Sequence, residues 1–314
     1  MAPIAAVDSD RQLPAGEQIF LDHVGHFVRD PDAAARALAR AGFTSTPASI
    51  QTQPAAASGS GPTGTGNVTA MLRRGYIEVL FKTADTPLGR EFEAALTRHP
   101  GLHLAALTVA DAAKAQRRLA TDGFRVRPLV RVQRQVATAT GSQTAAFTIA
   151  RVEPDEMPEG RIQMLTHHSE EIVWQRRWLS HQNGAIALSD LVIAVIDIDE
   201  AAQRFARFSG RPAKPTSYGA MLTLDRGNIL LVTHDSLTEL LPEVAPSALP
   251  FIAGYAVNVR SLAEMEAIVD RANLDWRAFE GGLVVSFPLA LGEGAWFFVE
   301  QTSALPWRRA SADH

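Results

Sequence analysis

The chain has 314 residues, of which 46% are hydrophobic and 20% charged, as in an ordinary soluble globular protein. Lys and Arg total 30 against 34 Asp and Glu, and no basic block stands out, so nucleic acid is not an expected partner. No run of about 18 apolar residues predicts a membrane span. The lack of cysteine excludes disulfides, thiolate metal ligands and cysteine nucleophiles, and it fits a cytoplasmic location.

Residues 1–17 lack the basic region and apolar core of a secretory signal, so they are interpreted as a disordered lead-in. The chain then repeats one pattern four times: a strand, an amphipathic helix and later strands that pair as hairpins. In the first unit an acidic cap and a proline begin the helix. The stretch Thr44–Gly66, rich in Ser, Thr, Pro and Gly, predicts a loop. The predicted elements are the strand Leu21–Val28, the helix Ala33–Ala41, and the strands Asn67–Arg73 and Tyr76–Phe81.

The second unit follows a connecting helix predicted over Pro87–His99. Its own helix ends at the dipeptide Gly-Phe, as the first one does, and glycine is a common helix terminator. A further connector, residues 169–185, contains the sequence EEIVWQRRWLSHQNG. The predicted elements are the strand Leu102–Val109, the helix Asp111–Thr121, and the strands Val126–Gln135, Thr144–Val152 and Arg161–Leu165.

The third and fourth units complete the repeat. Four βαβββ modules predict an α+β fold, in which two paired-module domains form half-barrel mixed sheets. The predicted boundaries are 18–168 for the N-terminal pair, 186–304 for the C-terminal pair and 305–314 for a frayed tail. The predicted elements are Ile186–Ile196, the helix Asp199–Ser209, Ala220–Asp225, Asn228–Thr233, Ile252–Val259, the helix Ser261–Ala272, Gly282–Pro288 and Ala295–Gln301.

A histidine occurs near the start of each of the first two units. Superposing the opening strands places His23 on His103, and superposing the closing strands places Glu78 on Gln163. A pseudo-twofold axis would bring these four side chains together. Two imidazoles, a carboxylate and a neutral amide oxygen suit a divalent first-row metal with positions left open for substrate. We therefore predict one divalent metal ion, Zn, Ni, Mn or Fe, on this set.

The C-terminal pair offers no comparable set. The same superposition places Asp190 and Ala253 at the two histidine positions and keeps only Glu300 as a closing-strand carboxylate. Carboxylates without an imidazole are a poor transition-metal site. The C-terminal pair is therefore interpreted as a metal-free partner domain.

Four segments carry a family resemblance: LDHVGHFVRD, GNVTAMLRRGYIEVL, HPGLHLAALTVAD and RIQMLTHHSEEIVWQRRWLSHQNGA. They resemble the vicinal oxygen chelate superfamily of glyoxalase I, bleomycin-resistance proteins and extradiol dioxygenases, and within it the two-domain glyoxalase-like proteins. The resemblance covers residues 21–184. It implies one metal per pair of modules, held by the first and last strands, as in the set above. Where relatives often carry glutamate this chain has Gln163, and His167 is the alternative fourth ligand.

The resemblance implies a metal-dependent enzyme for a small substrate that chelates the ion through two adjacent oxygens. The metal would stabilise an enediolate, and Glu78 would act as the base, with His167 in reserve. Isomerase or lyase chemistry is favoured. An Fe(II) extradiol-type dioxygenase is the first alternative. The second is a drug-binding protein without catalysis, and a scaffold with a filled cavity is the third.

Further residues border the predicted site. Asn67, Arg161 and Trp174 are candidates for substrate binding, with a turn, a surface charge and packing against the sheet as their simpler explanations. His26 lies on the opposite strand face from His23 and is predicted to be structural or solvent-facing. Because four modules can pair within one chain, a monomer and a homodimer are both compatible with the sequence, and a small molecule is the expected partner.

Overall fold

The computed structural model describes residues 11–53, 61–246 and 248–309. The predicted lead-in up to residue 10, part of the predicted loop (54–60) and the tail beyond residue 309 lie outside these ranges. The described residues form two eight-stranded sheets, each built from two modules. The α+β fold of four βαβββ modules is confirmed.

The N-terminal pair of modules closes into a barrel. Its helix α1 begins as predicted, because the Asp30 carboxylate accepts a hydrogen bond from the Ala33 amide at 2.8 Å. The strand order around the barrel is β1-β4-β3-β2-β6-β7-β8-β5. Its elements are β1 (Ile19–Phe27), α1 (Pro31–Arg40), β2 (Ser49–Thr52), β3 (Pro62–Met71), β4 (Tyr76–Lys82), α2 (Pro87–Arg98), β5 (Gly101–Val109), α3 (Ala112–Thr121), β6 (Val130–Thr138), β7 (Gly141–Arg151) and β8 (Arg161–His167).

The C-terminal pair forms an open sheet after the short connector helix α4 (Glu170–Val173). The strand order in this sheet is β10-β11-β12-β9-β13-β16-β15-β14. The elements are β9 (Ala185–Ala194), α5 (Ile198–Ser209), β10 (Ala213–Thr216), β11 (Gly219–Thr223), β12 (Asn228–Val232), α6 (His234–Leu240), β13 (Phe251–Val259), α7 (Leu262–Arg271), β14 (Trp276–Phe279), β15 (Gly282–Ser286) and β16 (Ala295–Val299).

The two sheets share one core. In each sheet the opening strands of the two modules pair antiparallel, β1 with β5 and β9 with β13. Apolar residues from these four strands, including Val24, Ala105, Leu191 and Val257, belong to a single buried cluster. The barrel and the open sheet are therefore packed against each other through their central strands.

Several elements differ from the sequence prediction. The sequence does not predict β2, β10, β14 or α6, and it starts the strand β6 at Val126 rather than at Val130. The three missed strands are short, and their residues are partly or fully exposed, so they lack the apolar alternation that marks a half-buried strand. β2 nevertheless closes the barrel by pairing with β3 and β6.

The chain ends also differ from their predictions. In the lead-in, Gln12 is buried, and the Arg226 guanidinium donates to the Arg11 carbonyl at 2.7 Å. In the tail, the Trp307 side chain is buried and its indole N–H donates to Asp190 at 2.7 Å. The sequence predicts a frayed tail, whereas the tail up to residue 309 is held in place by this hydrogen bond and by an ion pair between Arg308 and the same buried carboxylate. No helix in the described part of the chain is long and apolar enough to span a bilayer.

Candidate active site

The N-terminal barrel encloses a cavity of ≈ 40 Å³. Its wall includes three of the four predicted ligands, His23 from β1, Glu78 from β4 and Gln163 from β8. Three arginines and several apolar side chains complete the wall. The cavity lies where paired modules place the inward-facing residues of their first and last strands. The polar lining residues are His23, Gln51, Asn67, Tyr76, Glu78, Arg134, Arg151, Arg161 and Gln163.

His23 is held by a buried chain of hydrogen bonds. Its Nδ1 lies 2.7 Å from the Asp22 carboxylate, and the same carboxylate lies 3.1 Å from His167 Nε2. All three side chains are at most 4% exposed. Burial by itself raises the pKa of Asp22, but His167 and then His23 outweigh it and lower that pKa well below its usual range. Asp22 is therefore an ionised acceptor, and both imidazoles donate to it.

This hydrogen-bonding orients His23 toward Glu78. Because Nδ1 donates to Asp22, the free ring nitrogen Nε2 faces Glu78 Oε2 at a distance of 3.4 Å. The other Glu78 oxygen accepts hydrogen bonds from Asn67 Nδ2 at 2.6 Å and Gln51 Nε2 at 3.4 Å. An imidazole and a carboxylate, both almost fully buried, thus face each other across the cavity.

The turn before β4 makes this arrangement fit. Gly75 has φ +77°, and a Cβ there would lie 2.6 Å from the Asp22 carbonyl oxygen. Only glycine combines that backbone conformation with so close an approach. The turn brings the start of β4 against β1 and thereby sets Glu78 opposite His23.

The structure places His103 outside this cavity, although the sequence predicts it as a member of the ligand set. The parallel strand pairs β1–β4 and β5–β8 define the internal symmetry of the barrel. Gly25 pairs with Glu78, and Ala106 pairs with Gln163 in the equivalent place. His23 and Leu104 each lie two residues before Gly25 and Ala106, so these two residues are equivalent. His103 is instead equivalent to Asp22, and each of them is skipped in the β1–β5 register.

His103 lies in a different environment. It lines a neighbouring cavity of ≈ 270 Å³ beneath α2, and its Nε2 lies 2.7 Å from the His99 carbonyl oxygen. Its ring stacks on the His99 ring with a centroid distance of 4.1 Å. Burial lowers the pKa of His103 to about 3, and the nearby His99 adds to the effect. A neutral, hydrogen-bonded histidine is a structural residue here.

The residues present do not fit the predicted metal ion. Among the described residues that line the cavity, only His23 and Glu78 offer strong donor atoms, because Leu104 stands where a second imidazole would be needed. The Gln163 amide oxygen already accepts a hydrogen bond from Arg151 Nε at 2.9 Å. Among the described residues no three His, Asp or Glu side chains are arranged to hold a metal ion. Two donors flanked by guanidinium groups do not make a first-row metal site.

The remaining predicted residues have distinct places. Asn67 hydrogen-bonds Glu78, and Arg161 lines the cavity. His167 bonds Asp22, and so it positions the site without entering the cavity wall. Trp174 packs its ring against His167 with a centroid distance of 4.8 Å. His26 is fully buried and faces the C-terminal sheet, which agrees with a structural role.

Sequence reasoning missed Asp22, Arg134 and Arg151. The sequence does contain a signal for the two arginines. Each lies two residues after a buried apolar residue of the same strand, Arg134 after Val132 and Arg151 after Ile149, and so shares its face. An arginine on an inward-facing apolar row is unusual and indicates a polar cavity. Asp22 had no such signal, because strand alternation places it on the face opposite His23.

The corresponding C-terminal positions carry no site. Asp190, at the position of His23, is neutralised by Arg308 and the Trp307 indole. Phe297, and not Glu300, occupies the position of Gln163, and its ring packs against Trp307. Glu300 instead accepts a hydrogen bond from the Leu262 amide at the start of α7. Phe297 and Trp307 belong to a buried apolar cluster of the C-terminal sheet.

The comparisons with known proteins agree with this architecture. The profile of the family described as "Glyoxalase-like domain" matches residues 21–208. The chain therefore belongs to the glyoxalase-like family, which places it in the vicinal oxygen chelate superfamily, as its sequence resemblance implies. Among curated proteins, no sequence matches the chain significantly.

Solved structures share the fold at low sequence identity. A hypothetical protein from Staphylococcus aureus has a TM-score of 0.60 and 9% identity, over 89% of this chain and 98% of that one. A mutant of 4-hydroxymandelate synthase from Streptomyces coelicolor has a TM-score of 0.51 and 13% identity, over 90% and 91%. A xylose isomerase-like TIM barrel/4-hydroxyphenylpyruvate dioxygenase fusion protein has a TM-score of 0.50 and 12% identity, over 92% of this chain and 50% of that one.

Proposed function

We propose that the N-terminal barrel is the active site of an isomerase- or lyase-type enzyme that moves protons on a small oxygen-rich substrate. The observation that carries the proposal is the buried pair of His23 Nε2 and Glu78 Oε2, 3.4 Å apart, with His23 oriented by Asp22. Glu78 is the base and His23 is its acid partner. A positioned base and acid in one cavity is the arrangement that proton transfer next to a carbonyl group requires.

The reaction starts from a Glu78 carboxylate and a His23 imidazolium. In an α-hydroxycarbonyl compound, Glu78 Oε2 takes a proton from the hydroxyl-bearing carbon, the electron pair of that C–H bond forms a C=C bond, and the π pair of the carbonyl group moves to its oxygen. His23 Nε2 donates its proton to this oxygen, which gives an enediol. Glu78 then returns its proton to the former carbonyl carbon while the hydroxyl on the other carbon gives its proton to His23, which completes an isomerisation. In an elimination, an enediol hydroxyl gives its proton to His23 and a leaving group departs with its electron pair from the next carbon. The Asp22 carboxylate stabilises the imidazolium throughout.

Replacing the base tests the proposal. We expect Glu78→Gln to lower the rate of solvent-deuterium exchange into α-hydroxycarbonyl compounds by roughly 10²- to 10⁴-fold, the contribution of a positioned base. Proton NMR in D₂O measures the exchange. Glu266→Gln, which changes an exposed glutamate of α7, is the matched control. Equal exchange rates for wild type and Glu78→Gln would contradict the assignment of Glu78 as the base.

The same assay separates the alternatives. Exchange that survives chelator treatment supports chemistry by the chain's own residues. Activity that disappears with chelator and returns with Fe(II) and oxygen uptake would favour the dioxygenase. A binding protein without catalysis is favoured by the apolar part of the cavity wall, which includes Leu80, Leu104 and Phe147. Saturable binding of a small molecule with no exchange would support that second candidate.

A further inference from the structure

Three arginines from consecutive strands β6, β7 and β8 converge on the barrel cavity. Arg134, Arg151 and Arg161 all line it, and we call them the arginine cluster. Arg134 and Arg151 are only 6% and 9% exposed. Arg151 and Arg161 also line the neighbouring cavity of ≈ 270 Å³, so they stand between the two cavities.

The cluster has few partners of its own. Arg134 Nη1 makes one contact, 3.3 Å from the Ser49 hydroxyl, and Arg151 Nε donates to Gln163 at 2.9 Å. The Arg161 guanidinium lies over the Phe27 ring at 5.1 Å. Within the ranges that the structure describes, no carboxylate lies within ion-pair distance of any of the three. Glu78 is the sole carboxylate in the cavity wall, so the wall carries an excess of positive charge.

Another buried arginine, Arg204, provides a comparison, because it is paired with a carboxylate of the chain itself. Arg204 is 8% exposed, and its two terminal nitrogens donate to both oxygens of Glu159 at 2.8 and 2.7 Å. Its pKa is raised by these hydrogen bonds despite burial. Burial instead lowers the pKa of Arg151 to about 9, with nearby Arg161 adding to the effect, and burial also lowers the pKa of Arg134 and Arg161. Unpaired buried charge is costly, and the arginine cluster lacks the carboxylate compensation that Glu159 gives to Arg204.

We propose that the arginine cluster binds the carboxylate or phosphate group of an acidic substrate. This proposal deepens the proposed function, since it rests on the same cavity and names the substrate class. A guanidinium presents its N–H groups as a planar fork that matches both kinds of oxyanion. Arg151 and Arg161 hold the acidic group where the two cavities meet, and Arg134 adds charge beside Glu78. The substrate is small, because the larger cavity lies at the low end of ligand-site volumes.

Binding measurements on the full chain test the substrate class. The probes are glycolate, inorganic phosphate and the uncharged glycolamide, and their binding is measured by calorimetry at low ionic strength. We expect glycolate, phosphate or both to bind and glycolamide not to bind, and the comparison of the two anions tells a carboxylate site from a phosphate site. Arg151→Met and Arg161→Met should each weaken anion binding by about 10- to 100-fold, the range for hydrogen bonds to charged groups. Arg117→Met, which changes an exposed arginine of α3, is the matched control.

Thermal unfolding without added anion gives a second readout. Arg151→Met should unfold at the same temperature as wild type or higher, because it removes an unpaired buried charge. Arg204→Met should unfold at a lower temperature, because it leaves the buried Glu159 carboxylate without its arginine partner. Anion binding that is equally strong in the cluster variants, or a clear loss of stability in Arg151→Met, would overturn the proposal.

The outcomes also separate this inference from the proposed chemistry. Anion binding that depends on the cluster, without deuterium exchange in any probe, would support the ligand class and contradict the enzyme. Exchange that depends on Glu78 in neutral compounds, with no anion binding, would support the enzyme and overturn the acidic substrate.

Discussion

At the scale of single residues, the site depends on which groups surround one carboxylate. Asp22 accepts hydrogen bonds from two imidazoles, and together they lower its pKa although the carboxylate is fully buried. The ionised carboxylate binds the Nδ1–H of His23 and so directs Nε2 toward Glu78. Asp22 touches no cavity atom itself and is a positioning residue.

Replacing Asp22 by asparagine tests this role. The Asp22→Asn amide cannot accept from two imidazoles as a carboxylate does, so His23 loses its orientation and its stabilised cationic form. We expect a loss of about 10² in kcat, at the low end of what a positioned acid or base contributes. The measurement is the full pH–rate profile.

A structural role alone would lower the amount of folded enzyme and leave the shape of that profile unchanged. The expected result is a basic limb displaced to lower pH, because His23 must carry a proton to act as the acid, together with the lower kcat. Asp235→Asn is the control, because this aspartate is fully exposed on α6. An unaltered profile in Asp22→Asn would contradict the positioning role.

At the scale of elements, two β-bulges decide what the cavity contains. The register of β1 and β5 skips Asp22 on one strand and His103 on the other, and these residues are equivalent by the internal symmetry. A bulge shifts the alternation of its strand by one residue, so every side chain beyond it changes face. This shift places Leu104 inside the barrel and His103 in the neighbouring cavity.

The register makes a prediction about metal binding. Leu104→His would add an imidazole beside His23 and Glu78, which completes a two-histidine, one-carboxylate set. We expect this variant to bind Co²⁺ in stoichiometric amount with visible d–d absorption, while wild type shows none. Titration in a spectrophotometer measures both.

His103→Leu is the matched control, because it changes the neighbouring residue on the same strand. It should leave the Co²⁺ spectrum of Leu104→His unchanged. Stoichiometric Co²⁺ on wild type that is lost in His103→Leu would mean that the predicted four-ligand set is right and the register argument wrong.

At the scale of the whole molecule, a hydrogen-bonded relay joins the barrel to the open sheet. The Trp296 indole N–H donates to the Tyr255 hydroxyl at 2.6 Å, which donates to His26 Nε2 at 3.0 Å. His26 Nδ1 then donates to the Leu291 carbonyl at 2.9 Å. The relay requires a neutral imidazole. Burial lowers the pKa of His26 to about 4, although the hydrogen bond to Leu291 opposes the shift.

The relay predicts how stability depends on pH. A folded-state pKa of about 4, against the ordinary value of 6.5, means that the unfolded chain binds a proton at His26 first as pH falls. Its stabilising contribution is therefore complete above about pH 6.5 and is lost as pH falls toward 4, by roughly 3 kcal/mol. Urea unfolding of wild type at a series of pH values measures the slope.

His26→Gln keeps a donor and an acceptor but does not titrate. We expect its free energy of unfolding to fall less than that of wild type between pH 6.5 and 4. His234→Gln, at an exposed histidine, should follow wild type. Parallel curves for wild type and His26→Gln would contradict a neutral His26 in the interface.

The four modules, the helix caps and the place of Glu78 follow from the amino-acid sequence, because each depends on local periodicity and on chemistry within one unit. Asp30 caps α1 as predicted, and Glu78 lies between apolar neighbours on an inward strand. The tertiary structure decided the composition of the site. A one-residue bulge costs little free energy and has no recognisable signal in the neighbouring sequence. It nevertheless places Leu104, and not His103, in the barrel cavity. Likewise, only the closed barrel shows that Asp22 joins two histidines far apart in the chain. It also shows that, among the described residues, no carboxylate forms an ion pair with the three arginines of the cluster.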